Sequence, residues 1–225
     1  AGAPPEDDDA VRRMALRLDS EFIEMGTCSG STATFAFVSS PSKEGGRFQV
    51  RIGNIGDSRV LLGHVNGSMF KGSGTDGALT TDHTANHPSE RARIHRSGGR
   101  HVVDSHGGVL RRDGPIITRL AVSRAFGDRM FKESSAHPQE EQAVTAVPDV
   151  VHLECDAGDF LVLLCDGITE GKFRNREVVR FAARALASRQ LDPVAAASAV
   201  CQRALARGSR DNLSCMVVLL GGEEV

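Results

Sequence analysis

From Ala10 to Met25 the apolar residues Val11, Met14, Leu18, Phe22 and Met25 recur three or four positions apart, and Gly26 follows. That spacing predicts an amphipathic helix closed by the glycine. Residues 1–9 read as a solvated acidic leader that ends in a carboxylate N-cap. The period then shortens to two. Thr32 to Ser39 is rich in Thr, Phe and Val, Phe48, Val50 and Ile52 alternate with polar neighbours, and Val60 to Val65 follows a Gly-Asp-Ser break. These are expected to be strands joined by turns. Pro88 to Ser97 reads as a short helix, with Pro88 in its first turn and Gly98-Gly99 beyond its end. His101 to Ala146 carries Gly, Pro and charge in short bursts and predicts strand fragments and long loops. Phe160 to Cys165 is uninterruptedly apolar, as in a strand buried on both faces. Asn175 is placed to cap a helix over Arg176 to Ser188, Asp192 and Pro193 open another that Gly208 closes, and Leu213 to Leu220 reads as a last buried strand. The order helix, strands, helix, strands, helices, strand predicts an α+β fold, sheet layers with helices packed outside.

Composition narrows the function classes. The chain has 225 residues, 27 basic against 29 acidic side chains, and a net charge of −2. Residues 10–225 suit one domain after the leader, and the balance excludes nucleic-acid or anionic-membrane binding by bulk electrostatics. No apolar run approaches the ~18 residues that span a bilayer. Cys28, Cys155, Cys165, Cys201 and Cys215 are scattered without a C-x-x-C pair. They read as reduced thiols of a cytoplasmic or otherwise intracellular protein. Trp and Tyr are absent, which disfavours stacking surfaces for bases or glycans. A first residue Ala1 in place of Met is expected of a processed or excised fragment.

The strongest local chemistry is Cys165-Asp166-Gly167 at the end of the apolar run. A carboxylate there is costly to desolvate unless a cation or donor meets it. Ser209-Arg210-Asp211-Asn212 places Asp211 just before the last strand. If the two strands pair, both carboxylates reach one rim, and such hard oxygens suit Mg²⁺ or Mn²⁺. The alternative is that each Asp only caps a turn. Asp57 is a candidate third ligand, but Gly56-Asp57-Ser58 is read as a hairpin turn. Asp82-His83 is either a carboxylate–imidazole cluster or a solvated loop. Gly72 to Gly77 fits G-x-G-x-x-G, yet neither leaves a core strand nor opens a helix, so a surface loop is expected. Cys201 and Arg207 have the C-x5-R spacing of cysteine phosphatases, but they lie in an Ala-rich helix whose N–H groups are committed. Cys201 is therefore expected to be a protected core thiol.

Taken together these segments resemble the PP2C family of metal-dependent protein serine/threonine phosphatases. The likeness runs in order through Ser29 to Ala33, Asn54 to Arg59, Leu79 to His83, Glu90 to Ile94, Leu120 to Asp128 with Lys132, Val147 to Asp149, Leu164 to Gly167 and Ser209 to Asn212. The resemblance implies a four-layer α-β-β-α fold, an antiparallel β-sandwich flanked by helix pairs. It implies hydrolysis of phosphoserine and phosphothreonine in a phosphoprotein substrate by water bridging two Mg²⁺ or Mn²⁺ ions. By position Asp166 and Asp211 would be terminal metal ligands, and Asp82 would belong to a further, weaker metal position.

One departure shapes the expectation. The family's phosphate-binding Arg, a first acidic ligand and an Asp-Gly-His-Gly-Gly motif precede the helix that here occupies Ala10 to Met25. Asp104-Ser105-His106-Gly107-Gly108 has similar letters but follows Gly98-Gly99, far from that place in the order. The fold is thus expected to be incomplete at the N-terminus, with a partial metal site, no catalytic Arg or acid His, and weak or absent activity. The alternative is a pseudophosphatase or phosphoprotein-binding scaffold. Sheet edges left uncovered would favour a homodimer.

Overall fold

The computed structural model describes residues 4–26, 28–43, 45–98 and 101–221; the first three leader residues, Gly99 and Glu44 of the Lys43 to Arg47 loop lie outside them. The chain forms two compact units, Ala1–Ala33, Gly53–Asp57 and His83–Val150 in the first, Thr34–Ile52, Ser58–Asp82 and Val151–Val225 in the second. Among the described residues no helix is long and apolar enough to cross a membrane.

In the first unit, helix α1 (Asp8–Glu24) starts where Asp7 accepts the Ala10 N–H at 2.7 Å, with Asp8 and Asp9 opposing the positive end of the helix dipole. Its buried face is Val11, Ala15 and Asp19, whereas Leu18 and Met25 of the expected stripe are exposed. The reason is electrostatic as much as apolar. Asp19, 1% exposed, accepts from Lys132 Nζ and the Gly127 N–H, both at 2.7 Å, and this fixes the helix rotation. Strand β1 (Gly30–Ser31) is one of the shortest elements. Helix α2 (Pro88–Arg96) follows its proline as expected. The stretch after it is more regular than the sequence suggested. Strands β5 (His101–Val103), β6 (Val109–Asp113) and β7 (Ile116–Leu120) form an antiparallel meander, and β8 (Phe126–Gly127) pairs with β1.

Unit one is organised around a buried carboxylate. Glu90, 1% exposed, accepts from Arg93 at 2.8 Å, Arg124 at 2.7 Å and the Ser123 hydroxyl at 2.6 Å. Arg93 also donates to the Ser123 and Gln142 carbonyls, and Arg124 to the Val147 carbonyl and Asp149. Asp149 meets His83 Nε2 at 3.1 Å, and His83 Nδ1 accepts the Gly56 N–H, so the proton that Asp149 receives lies on Nε2. Five separate stretches of chain are tied by this one network.

Most of the second unit is two sheets and a helix pair. Strand β4 (Arg59–Gly63) and β11 (Cys215–Leu219) flank β10 (Phe160–Leu164), both antiparallel to it. The other sheet has the order β2 (Ala33–Ser39), β3 (Phe48–Ile55), β9 (Asp149–Cys155). Alternation along β10 sends Phe160, Val162 and Leu164 into a core with helices α4 (Asn175–Ser188) and α5 (Pro193–Ala206). Leu161 and Leu163 face Val50 and Ile52 of β3 on the opposite side. The helix pair, one sheet and the second sheet are thus successive layers, an α+β arrangement of antiparallel strands.

Two expectations need correction. Gly56-Asp57-Ser58 is not a hairpin turn, because β3 and β4 belong to different sheets and the bend carries the chain from one to the other. A two-residue period shows which face is buried but not which strand is the partner. The residue at the α4 N-cap is Arg174, not Asn175. Asn175 is fully buried and donates to the Thr75 and Asp76 carbonyls, while its Oδ1 accepts from Arg59.

Burial would raise the Glu90 carboxyl, but Arg124, Arg93 and Ser123 outweigh it and hold it at about 2, against an ordinary 4.5. Glu90 therefore contributes stability that is present above pH 4.5 and lost as pH falls through about 2. Glu90→Gln should cost about 3–5 kcal/mol at pH 7, since two guanidinium groups lose their buried counter-ion. The variant should also lose stability less steeply below pH 4.5. Urea titrations between pH 7 and pH 3 measure both, and parallel pH profiles would refute the assignment.

Candidate metal-binding rim

The β10–β11 pairing places Leu164 opposite Cys215, and the Cys165 N–H continues the ladder to the Ser214 carbonyl. Asp166 and Asp211 consequently emerge at the same end of this strand pair. The chain turns at once into helix α3 (Gly167–Glu170), which the sequence reading had not resolved. Asp166 N-caps it, with Oδ1 accepting the Gly167 N–H at 2.8 Å. Asp211 Oδ1 accepts the Asn212 N–H at 2.7 Å. Ser209 Oγ lies 2.8 Å from the Gly167 carbonyl oxygen and 3.2 Å from Glu170, whose carboxylate also accepts the Arg210 N–H. The loop bearing Asp211 is therefore stitched to the helix begun by Asp166.

Gly167 allows the close approach. A Cβ there would overlap the Asn212 carbonyl oxygen and lie 3.2 Å from Asp211 Cβ. Both aspartates are exposed, not desolvated as a strand-end carboxylate suggested, because both lie beyond the last ladder bond, Asp166 by one residue and Asp211 by three. Each makes a capping bond with one oxygen, so the turn role is real. A carboxylate has roughly four lone-pair sites, which leaves capacity for a cation and its waters. Exposed carboxylate oxygens are the donor type that a hard, partly hydrated divalent ion takes. Among the described residues no group of three or more His, Cys, Asp or Glu side chains is arranged to hold a metal. Glu170 is the carboxylate the sequence reading missed; Ile-Thr-Glu following Asp-Gly is a helix start that could have located it.

Asp82 is placed differently. Arg59 grips it through Nε and Nη2 at 2.8 and 2.6 Å, and both side chains are mostly buried. Its neighbour His83 belongs to the Asp149 network of unit one. Asp104-Ser105-His106-Gly107-Gly108 is the β5–β6 turn. Backbone bonds from Gly108, the Arg119 guanidinium and the His106 N–H hold Asp104 at about 2. Cys201 is half-buried within α5 with its thiol raised by burial, as expected of an unreactive thiol. In the glycine-rich loop, the N–H groups of Gly72, Gly74 and Thr75 bond the carbonyls of Gly77, Ala78 and Thr80, so none of the three is available to phosphate.

The protein phosphatase 2C family model matches residues 6–213. Protein phosphatase 2C homolog 2 of Schizosaccharomyces pombe is 38% identical over 163 residues, 72% of this chain and 37% of that protein. A mouse protein described as probable protein phosphatase 1N is 32% identical over 98% of this chain and 50% of its own length. Among solved structures, a phosphatase from a pathogenic Toxoplasma gondii strain superposes with a TM-score of 0.73 at 27% identity, covering 99% of this chain and 77% of that one. The chain belongs to the protein phosphatase 2C family, which is in general metal-dependent. It spans between a third and a half of the length of these two curated relatives.

Because Gly167 sets the spacing of the rim, Gly167→Ala should displace Asp211 and destabilise the fold by about 1–3 kcal/mol. Calorimetric unfolding combined with Mn²⁺ titration measures this, and an unchanged melting temperature with unchanged Mn²⁺ affinity would contradict the packing described.

Proposed function

We propose that this chain is part of a protein serine/threonine phosphatase in which Asp166 and Asp211 are terminal ligands for Mg²⁺ or Mn²⁺. The observation that carries the reading is the β10–β11 register, which delivers both carboxylates to one rim in a member of this family. When bound, such cations polarise phosphoryl oxygens and lower the pKa of water. The chain's own contribution is orientation. Asp166 is fixed by its helix cap, Asp211 by the Ser209–Glu170 stitching, and Gly167 by the space it leaves. Asp82 is the proposed ligand of a further metal position, and to serve there it must exchange Arg59 for a cation.

Two carboxylates give an open, weak site, so the 225 residues alone are proposed to turn over slowly or not at all. Calorimetry should show weak Mn²⁺ binding that falls at least tenfold in Asp166→Asn and in Asp211→Asn. Affinity unaffected by either change would overturn the assignment. Hydrolysis of p-nitrophenyl phosphate with Mn²⁺ at rates typical of intact family members would overturn the partial-site reading. The absence of a three-ligand group among the described residues favours a second reading, a phosphoprotein-binding scaffold of the same fold. Binding of a phosphopeptide with no turnover of it would select this reading.

Strands β2 and β11 lie at sheet edges, and Ile116 and Ile117 of β7 are 65% and 60% exposed. These features support a homodimer in solution. Light scattering after size exclusion should give a mass near twice 24.0 kDa. A monomer across the accessible concentration range would rule this out.

A further inference from the structure

Helices α4 and α5 carry arginines at helical spacing, Arg176, Arg180 and Arg184 on one, Arg203 and the C-cap Arg207 on the other. Like charges four positions apart destabilise a helix, so the pattern works against the elements that bear it. The side chains converge. Arg180, Arg184, Arg203 and Arg207 line a cavity of about 210 Å³ whose floor includes Phe173 and Phe181. Arg180 also lines a neighbouring cavity of about 670 Å³, together with Lys71, Arg174 and Arg176. Seven cations thus face two carboxylates, Asp76 and Glu177, on a chain whose net charge is −2.

Two of these cations are positioned over aromatic rings, and several of the seven are not neutralised. Arg207 lies over the Phe173 ring at 4.9 Å, pairs with Glu177 at 2.8 Å and donates to the Lys172 carbonyl. Arg203 lies over the Phe181 ring at 5.9 Å. Stacking engages the face of the guanidinium and leaves its in-plane N–H fork for an acceptor. Among the described residues Arg176, Arg180, Arg184 and Arg203 form no ion pair. Planar guanidinium forks around a small cavity, two of them steadied over aromatic rings, suit a tetrahedral dianion, whose oxygens accept paired N–H bonds.

We propose that the smaller cavity binds a phosphate monoester carried on an acidic peptide segment, with the larger basic cavity receiving the residues that flank it. This docking site is separate from the Asp166–Asp211 rim and does not depend on catalysis there. A peptide is favoured over nucleic acid because the chain carries no net positive charge, and both phenylalanines, which could otherwise stack a base, are already covered by arginine.

The test uses the 225-residue chain in EDTA, which silences any metal site and prevents hydrolysis. Fluorescence anisotropy compares a labelled acidic peptide bearing one phosphoserine with its unphosphorylated twin. Inorganic phosphate and a single-stranded RNA oligonucleotide serve as competitors. The phosphopeptide should bind at least tenfold tighter than its twin, and more tightly than either competitor. Arg184→Glu and Arg203→Glu should each weaken it at least tenfold. Arg184→Gln, which removes charge with less perturbation, should weaken it severalfold at an unchanged melting temperature. Equal binding of both peptides, undiminished binding by the variants, phosphate competing at the peptide's own affinity, or tighter binding of RNA would each overturn the proposal.

Discussion

Strand β10 contains five apolar residues in succession, and from that much of the second unit follows. A strand with no polar face cannot meet water on either side, and its backbone groups must be paired along both edges. The chain answers with β4 and β11 at the edges, α4 and α5 over one face, and the β3–β9 sheet over the other. The rim is a by-product of the same demand. Where the apolar run ends, hydrophobic burial ends with it, and Asp166 and Asp211 stand beyond that limit, where a charge can be hydrated.

The first unit is held by another device. A carboxylate is buried there with two guanidinium groups, a hydroxyl and several carbonyls satisfying one another. Such a cluster gains little over an apolar core of equal volume, yet it admits few alternative arrangements. Several of the segments that carry the resemblance to the family, around His83, Glu90, Ser123-Arg124 and Val147 to Asp149, supply this network. Their resemblance reflects architecture at least as much as chemistry.

Elements whose cause is local could be read directly from the chain. The Asp7 cap, the Pro88 and Pro193 helix starts, and the apolar run of β10 are set by neighbours within a few positions. What escaped reading depends on partners far along the chain. Asp19 faces inward because Lys132 and Gly127 are there to meet it, and nothing near Asp19 signals them. The sheet change at Gly56 and the inward role of Asn175 are similarly non-local. In the candidate site, the strand pairing that joins Asp166 to Asp211 was legible from two apolar runs, but their exposure and the Glu170 link were not. The arginine cavity lay within reach. The i, i+4 repeats on two neighbouring helices are visible in the letters, although their convergence needed the packing of α4 on α5.

The stretch from Gly72 to Gly77 has the composition of a supple surface segment, where a protease would ordinarily cut first. Its amides are bonded to carbonyls of the stretch itself and of Ala78 and Thr80 just after it, and Asn175 clasps the Thr75 and Asp76 carbonyls from the start of α4. A protease must draw several residues into an extended form before cleaving. Here that would require opening those bonds and uncovering a buried amide. The loop should resist digestion in spite of its glycines, and nicking would be diverted to stretches with fewer internal ties.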